Sequence, residues 1–252
     1  NGCPAPNSNG LTIQATKAYL GEYGKAIVSV YYGSVVGELH KPLIIAEGFD
    51  PGHITVPENQ FGETNINTFF QQVNFSNSFG LQNLTYYSGY DIIYVDWVNG
   101  TDYLQRNAYA LEAVIDWVNQ NKMSNTPNVV LGQSMGGVIA RYALKDMENN
   151  SKNHQTRLYI SWDAPHQGAN VPEGFQDLAN HAKSFYIQTP AFGITEYLLY
   201  ILGKPSIYAQ LNMANQPAAR QMLINRINGS TNSINNTDHT TWQSELQTMG
   251  YP

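Results

Sequence analysis

Residues 128–147 limit what this chain can fold into more than any other stretch of the sequence. The stretch begins with a short apolar run containing Val129 and Val130, which is typical of a fully buried strand. The motif Gly-x-Ser-x-Gly follows directly, and the residues from Val138 onward are apolar at helical spacing. The order of strand, tight turn and helix predicts that Ser134 lies at the tip of a buried strand.

Each residue of this motif has a physical role at such a turn. Gly132 and Gly136 flank the serine where strand and helix approach each other most closely, so a β-carbon would clash there. A strained backbone at Ser134 would lift its hydroxyl out of the packing, and the N-terminus of the helix would direct N–H groups at an oxyanion. We therefore predict that Ser134 is a nucleophile. The alternative is a structural turn, which the preceding strand, the following helix and Gly137 disfavour.

Apolar runs and helical patterns alternate along the first two thirds of the chain. The predicted strands are residues 26–32, 43–52 (a strand that runs into a glycine turn), 90–97, 128–131 and 157–163. Helices are predicted over residues 63–75, after the turn at residues 99–100, and from residue 138 to 147. Alternating strands and helices predict an α/β fold, with a mostly parallel sheet covered by helices on both faces.

The chain is long enough for one large domain. Residues 1–25 are predicted to be an N-terminal leader, and residues 26–252 a single α/β domain. Residues 174–226 contain helical patterns but no convincing buried strand, including the apolar run 197–202. We interpret residues 174–226 as a helical lid, and the alternative is a pair of ordinary core helices.

Composition excludes some kinds of protein. The net charge is -6 and no block of basic residues occurs, which argues against a nucleic-acid groove. No apolar run reaches the length of about 18 residues that a membrane span needs. Cys3 is the only cysteine, so no disulfide can form within the chain. Only 13% of residues are charged and the chain begins at Asn1. We therefore predict a processed protein, secreted or in the cell envelope.

Several of these stretches resemble the α/β-hydrolase superfamily, in its lipase and esterase branch. The matching stretches are 43–50, 92–97, 129–144 and 159–168, and within the last one Asp163-Ala-Pro-His-Gln-Gly168 resembles the Pro-His-x-Gly segment of many lipases. The resemblance implies that Ser134 attacks an ester carbonyl and forms an acyl-enzyme, without a metal or other cofactor. It implies an oxyanion hole built from the backbone N–H groups of Met135 and Phe49.

The resemblance places an acid and then a histidine after the serine. Asp163 is the predicted acid, with Asp177 and Asp238 as alternatives, and Asp163 could instead anchor the Pro-His-x-Gly loop. His239 is the predicted base because it comes late in the chain. The other downstream histidines are His154, His166 and His181.

The resemblance also implies two further strands beyond the end of this sequence. We therefore expect that the chain is a fragment, or that a second polypeptide completes the sheet and carries the base. Two functions follow: a serine hydrolase acting on lipid or other acyl esters, with lipid-surface contact through the lid, or a catalytically incomplete, hydrolase-like binding module. The fold hosts many chemistries, so a peptide, thioester or polysaccharide acyl group is a further possible substrate.

Overall fold

The computed structural model describes residues 10–55, 64–73, 83, 87–228 and 233–252. The strands are β1 (Leu11–Gln14), β2 (Lys25–Tyr31), β3 (Pro42–Ala46), β4 (Asp91–Trp97), β5 (Asn128–Gln133), β6 (Thr156–Trp162), β7 (Ile227–Asn228) and β8 (Ser233–Ile234). The helices are α1 (Gly52–Thr55), α2 (Ile66–Val73), α3 (Leu104–Asn121), α4 (Met135–Asn149), α5 (Glu173–Ile187), α6 (Phe192–Ile201), α7 (Ile207–Leu211), α8 (Pro217–Met222) and α9 (Thr237–Met249), with a 3₁₀ turn at Met213–Asn215.

Six strands form one sheet in the order β1-β2-β4-β3-β5-β6, and β7 and β8 form a separate antiparallel pair. Strands β4, β3, β5 and β6 are mutually parallel, whereas β1 and β2 join antiparallel. The carboxyl ends of β3, β4, β5 and β6 therefore meet at one edge of the sheet. This mixed, mostly parallel sheet with helices on both faces confirms the predicted α/β-hydrolase fold class.

The central strands are buried because both faces of the sheet are covered. All residues of β3 and β4 are buried, as their nearly continuous apolar sequences predict. Ile44 and Val130 belong to a core shared with α3 and α4, whereas Ile45 packs with Phe69 of α2 on the other face. The predicted helix over residues 63–75 is α2, although residues 63, 74 and 75 lie outside the described part.

The C-terminal helix α9 is docked behind the helix that follows Ser134. Trp242 is buried and stacks on Tyr142 of α4, with ring centroids 5.4 Å apart. Arg141 of α4 donates hydrogen bonds to the carbonyl oxygens of Leu246 at 3.0 Å and Gly250 at 2.8 Å. These contacts tie α9 to the main domain and hold α4 from its outer side.

Two outer regions bear on the predictions for the domain boundaries. Leu11–Gln14 of the predicted leader pairs with β2 and so belongs to the sheet, while residues 1–9 lie outside the described part. Four helices and the 3₁₀ turn fill the predicted lid region, 174–226.

Within the described residues, no strand pairs with the outer edge of β6, where Leu158, Ile160 and Trp162 are exposed. The described helices include none long and apolar enough to cross a membrane.

Candidate active site

Ser134 occupies the corner between β5 and α4. Its backbone has φ 51° and ψ -123°, a region that residues other than glycine rarely adopt. The Ser134 N–H donates to the carbonyl oxygen of Trp162 at 2.8 Å, which joins the corner to the end of β6. The side chain is exposed, and its hydroxyl makes no hydrogen bond to any residue that the structure describes. The hydroxyl is therefore free to meet a bound molecule.

Two glycines let strand and helix approach closely enough to form this corner. A β-carbon at Gly132 would lie 2.4 Å from both the carbonyl oxygen of Gly136 and the Cα of Gly137. A β-carbon at Gly136 would lie 2.3 Å from the carbonyl oxygens of Ala46 and Glu47. Because all these obstacles are backbone atoms, no side-chain rotation could relieve the clash. The glycines thus hold α4 directly against β5 and β3.

The turn after β3 lies against Ser134. A β-carbon at Gly48 would be 3.4 Å from Ser134 Cβ and 4.0 Å from Ser134 Oγ. The next residue, Phe49, donates no backbone hydrogen bond to a described residue, whereas Asp50 N–H donates to the carbonyl oxygen of Gly100 at 3.3 Å. Met135 is the first residue of α4, where a backbone N–H has no partner one turn back. The structure therefore brings the predicted oxyanion donors, Met135 and Phe49, to the same corner as Ser134.

The predicted acid, Asp163, and the predicted base, His239, lie on other elements than Ser134. Asp163 follows β6 with φ 51° and an exposed side chain. His239 is buried in α9, where its Nδ1 lies 2.8 Å from the carbonyl oxygen of Gln221. Because a carbonyl oxygen only accepts, Nδ1 is the donor in this hydrogen bond. No hydrogen bond among the described residues joins Asp163, His239 and Ser134, so their catalytic roles stay predictions.

The other histidines and acids considered from the sequence have their own contacts. Asp238 forms an ion pair with Arg220 at 2.7 Å. His154 lies 3.4 Å from Glu148 at the surface. Asp177 and His181 are exposed on α5.

The structure shows a second serine close to this corner. Ser161 Oγ lies 2.7 Å from His166 Nε2, and burial, followed by the Arg141 charge, lowers the pKa of His166. A β-carbon at Gly137 would lie 3.2 Å from Ser161 Oγ. Ser161 therefore has a histidine partner but does not lie at the strained corner. This makes it a matched control for Ser134.

A group of buried carboxyl side chains below the Gly48–Phe49 turn was not predicted from the sequence. Glu47, Asp50 and Asp96 are each at most 3% exposed. Burial raises the pKa of Glu47 well above its usual range, and the neighbouring Asp96 and Asp50 add to that effect. Burial, followed by the Asp50 charge, raises the pKa of Asp96 to about 9. The sequence does contain a sign of this group: an acidic residue stands at the carboxyl end of each of two apolar strands. This is the edge at which such sheets bind ligands.

An apolar cavity of about 340 Å³ begins at the same turn. Its walls come from the turn, from the segment before α5 and from the helices of the predicted lid region, and they include Phe49, Val171, Phe175, Leu211, Met222 and Leu223. A cavity of this size is within the usual range for small-molecule sites. Phe49 therefore belongs both to the wall of this cavity and to the predicted oxyanion hole.

Comparisons with known proteins give one match to a family and several to solved structures. The family model described as "PGAP1-like alpha/beta domain" matches residues 60–243, a range that includes Ser134, Asp163 and His239. No curated protein matches the sequence significantly.

Three of the similar solved structures are described here by sequence identity, coverage and TM-score. Est1E from Butyrivibrio proteoclasticus is 19% identical with a TM-score of 0.36, covering 57% of this chain and 48% of that one. The peroxisomal alpha-beta-hydrolase Lpx1 from Saccharomyces cerevisiae is 12% identical with a TM-score of 0.44, covering 85% of this chain and 68% of that one. The Pyrobaculum calidifontis esterase is 14% identical with a TM-score of 0.45, covering 84% of this chain and 59% of that one. The present chain thus spans about half the length of Est1E.

Proposed function

Since this chain belongs to the PGAP1-like alpha/beta domain family, we propose that it is a serine hydrolase that cleaves carboxylic esters through an acyl-enzyme on Ser134. One observation carries the proposal: the exposed Ser134 hydroxyl stands at a strained strand-to-helix corner against the Gly48–Phe49 turn. Strain of this kind persists only where the surrounding structure enforces it, and it is concentrated at functional sites.

The proposed chemistry uses Ser134 and the two predicted oxyanion donors. Ser134 Oγ attacks the ester carbonyl carbon and loses its proton to a general base, for which His239 is our candidate within this chain. The N–H groups of Met135 and Phe49 stabilise the negative charge that develops on the carbonyl oxygen. The alcohol then leaves with a proton, and a water molecule releases the acid from Ser134 by the same steps. Asp163 is the proposed acid partner of the base.

The apolar cavity supports an acyl ester as the substrate. Phe49 lines it, so an acyl chain could enter the cavity while its carbonyl group stays beside Ser134. Apolar walls favour burial of hydrocarbon over polar or charged acyl groups. We therefore propose lipid or other apolar acyl esters ahead of peptides and polysaccharide acyl groups.

Covalent labelling tests the nucleophile. A fluorophosphonate probe should react with the wild-type chain, and peptide mapping should place the phosphonyl group on Ser134, because its hydroxyl stands at the strained strand-to-helix corner against the Gly48–Phe49 turn. Ser161→Ala, which removes the neighbouring histidine-bonded hydroxyl, should label normally. Labelling that persists in Ser134→Ala, or that maps to Ser161, would contradict the proposal.

A hydrolase-like binding module is the second candidate function. It is favoured by the absence, among the described residues, of a histidine hydrogen-bonded to Ser134. In that case a second polypeptide could supply the base, and this chain alone would bind an ester without turning it over. Turnover of p-nitrophenyl esters by this chain alone, abolished by Ser134→Ala, would exclude the binding module.

Lipid-surface contact through α6 is also part of the proposal, in a protein that we expect outside the cell or in its envelope. The exposed residues Ile194, Tyr197, Leu198, Ile201 and Leu202 recur at the spacing of one helix face. The polar Glu196 instead accepts a hydrogen bond from Ser206 Oγ at 2.6 Å, which turns it toward the protein.

Sedimentation with phosphatidylcholine vesicles tests this contact. Ile201→Asp should reduce the vesicle-bound fraction, because a charge on the apolar face opposes its burial in lipid. Ile234→Asp places the same charge at an exposed isoleucine outside α6 and should bind like the wild type. Equal binding of both variants, or no binding of the wild type, would contradict the lipid contact.

A further inference from the structure

One face of helix α5 is joined by side-chain hydrogen bonds to the chain around Arg226. The Gln176 side chain donates to the carbonyl oxygen of the residue before Arg226 at 2.7 Å and accepts from the N–H of the residue after it at 3.0 Å. Further along α5, Lys183 Nζ donates to Asn212 Oδ1 at 3.0 Å. Helix α5 is thus attached at two points to residues 212–227.

Two asparagine side chains connect these points of attachment. Arg226 Nη1 donates to Asn215 Oδ1 at 3.0 Å, and Asn215 Nδ2 donates to Asn212 Oδ1, also at 3.0 Å. Lys183 donates to the same oxygen of Asn212. The hydrogen bonds therefore close a ring, with Gln176 and Lys183 on α5 facing the two asparagines and Arg226.

Asn180 lies between the two points at which α5 joins the ring. It follows Gln176 by four residues and precedes Lys183 by three, so the three side chains share one face of the helix. Asn180 is 6% exposed and Arg226 is 8% exposed. Asn180 Nδ2 and Arg226 Nε are both buried and have no hydrogen-bond partner in the described part of the chain. Buried donors of this kind are costly unless a bound group accepts from them.

The ring carries positive charge that no carboxylate of the ring balances. Neither Arg226 nor Lys183 forms an ion pair with an acid among the described residues. Asp238, whose charge acts on Arg226, is paired with Arg220 at 2.7 Å. Burial, followed by the charge of Arg220, lowers the pKa of Arg226. Because a buried cation without a counter-ion is costly, this arrangement favours binding of an anion.

Two cavities border the ring. Gln176 lines the apolar cavity of about 340 Å³, together with Ala179, the neighbour of Asn180. Asn212 lines a second cavity of about 380 Å³. The ring therefore adjoins two spaces of the size that small molecules occupy.

We propose that the ring binds a phosphate group through Arg226 Nε, Asn180 Nδ2 and Lys183 Nζ. Arginine and lysine bind phosphate by charge-assisted hydrogen bonds. A phosphate monoester carries about 1.5 to 2 negative charges at pH 7, which balances two cations better than a single carboxylate does. Free inorganic phosphate and the head group of a lipid both offer this chemistry. The site is separate from Ser134, so it does not depend on the hydrolase function.

Thermal unfolding of the wild-type chain tests the ligand class. The midpoint should be higher in sodium phosphate than in sodium chloride of equal ionic strength, because a ligand of the folded state stabilises it. No difference from chloride, or an equal increase in sodium acetate, would overturn the phosphate site. Glycerol 3-phosphate is the second probe. A larger increase than with inorganic phosphate at equal concentration assigns the site to a head group, and an equal or smaller increase assigns it to free phosphate.

Calorimetric titration with inorganic phosphate tests the cations. Arg226→Met should bind at least about 10-fold more weakly, because it loses a charged donor. Lys183→Met should also bind more weakly, and since Lys183 is only partly buried, it keeps the test complete if Arg226→Met does not fold. Arg157→Met is the matched control, because Arg157 is exposed on β6 and donates to the Tyr90 hydroxyl. Wild-type affinity in the two ring variants, or an equal loss in the control, would overturn the proposal.

Asn180→Asp tests whether this side chain faces Arg226. A carboxylate there supplies the negative charge that phosphate would bring. We therefore expect a higher unfolding midpoint than the wild type without phosphate, and no further increase when phosphate is added. If Asn180 instead faces a place without cations, the new buried charge has no partner and lowers the midpoint. A lower midpoint, or an unchanged response to phosphate, would contradict the proposed site.

Discussion

Ser134→Ala is expected to lower the rate of ester hydrolysis by about 10⁴-fold or more while the protein folds as before. The loss is large because alanine lacks the oxygen that forms the acyl-enzyme. Stability should change little, because the exposed Ser134 hydroxyl makes no hydrogen bond to a described residue. The strained backbone and its N–H bond to the Trp162 carbonyl oxygen are unaffected by removal of Oγ.

The measurement is the initial rate of p-nitrophenyl ester hydrolysis, together with the urea midpoint of unfolding. Ser161→Ala is the control, since Ser161 is also exposed and is already bonded to His166 at 2.7 Å. We expect Ser161→Ala to keep most of the activity. A larger loss of activity in Ser161→Ala than in Ser134→Ala would show that Ser134 is not the nucleophile.

Gly136→Ala is expected to have the largest effect on stability of any single methyl addition near the site. The new β-carbon would lie 2.3 Å from two backbone carbonyl oxygens, those of Ala46 and Glu47. To relieve this overlap, α4 must move away from the end of β3, and buried core contacts of α4 are lost. We expect a loss of about 3 kcal/mol or more in the free energy of unfolding, at or beyond the upper end for overpacked cores.

Gly174→Ala provides the matched control, because nothing lies within 4 Å of a β-carbon at that position in α5. Alanine fits the helical backbone and gives the unfolded chain less conformational freedom than glycine does. The free energy of unfolding of this variant should therefore be higher by about 0.4–1 kcal/mol. Urea unfolding of both variants gives the free energies, and labelling at Ser134 reports the corner. Wild-type stability and labelling in Gly136→Ala would mean that the close approach of α4 to β3 is not required.

Local sequence patterns were sufficient for the central part of the fold. Strands β3, β4 and β5 are apolar runs buried on both faces, and α3 and α4 show helical spacing of apolar residues. Strand β1 was missed because its four residues, Leu11–Gln14, are mostly exposed, and it follows a stretch rich in glycine, proline and asparagine. Its strand conformation depends on pairing with β2, which the sequence of β1 alone does not reveal.

The predictions for the site rest on short-range sequence. Ser134 follows from one motif, whereas Met135 and Phe49 follow from the resemblance of the stretches around them to α/β-hydrolases. The contact of Glu47 with Tyr94 needs β3 and β4 to be adjacent, although the two residues are 47 positions apart in the chain. The pair Ser161 and His166 depends on a turn at which Asp163 adopts φ 51°. Such contacts are set by tertiary structure, which propensities do not encode.

The most direct test of the Ser134 nucleophile is to trap the acyl-enzyme. The chain would be mixed with excess p-nitrophenyl ester, quenched in acid within the first turnover and digested for mass spectrometry. We predict that one acyl group is attached per chain and that it maps to the side chain of Ser134. It should form at the same rate as the initial burst of p-nitrophenol. An acyl group on another residue, or hydrolysis at steady rate with Ser134 unmodified and dispensable, would contradict a nucleophilic role for Ser134.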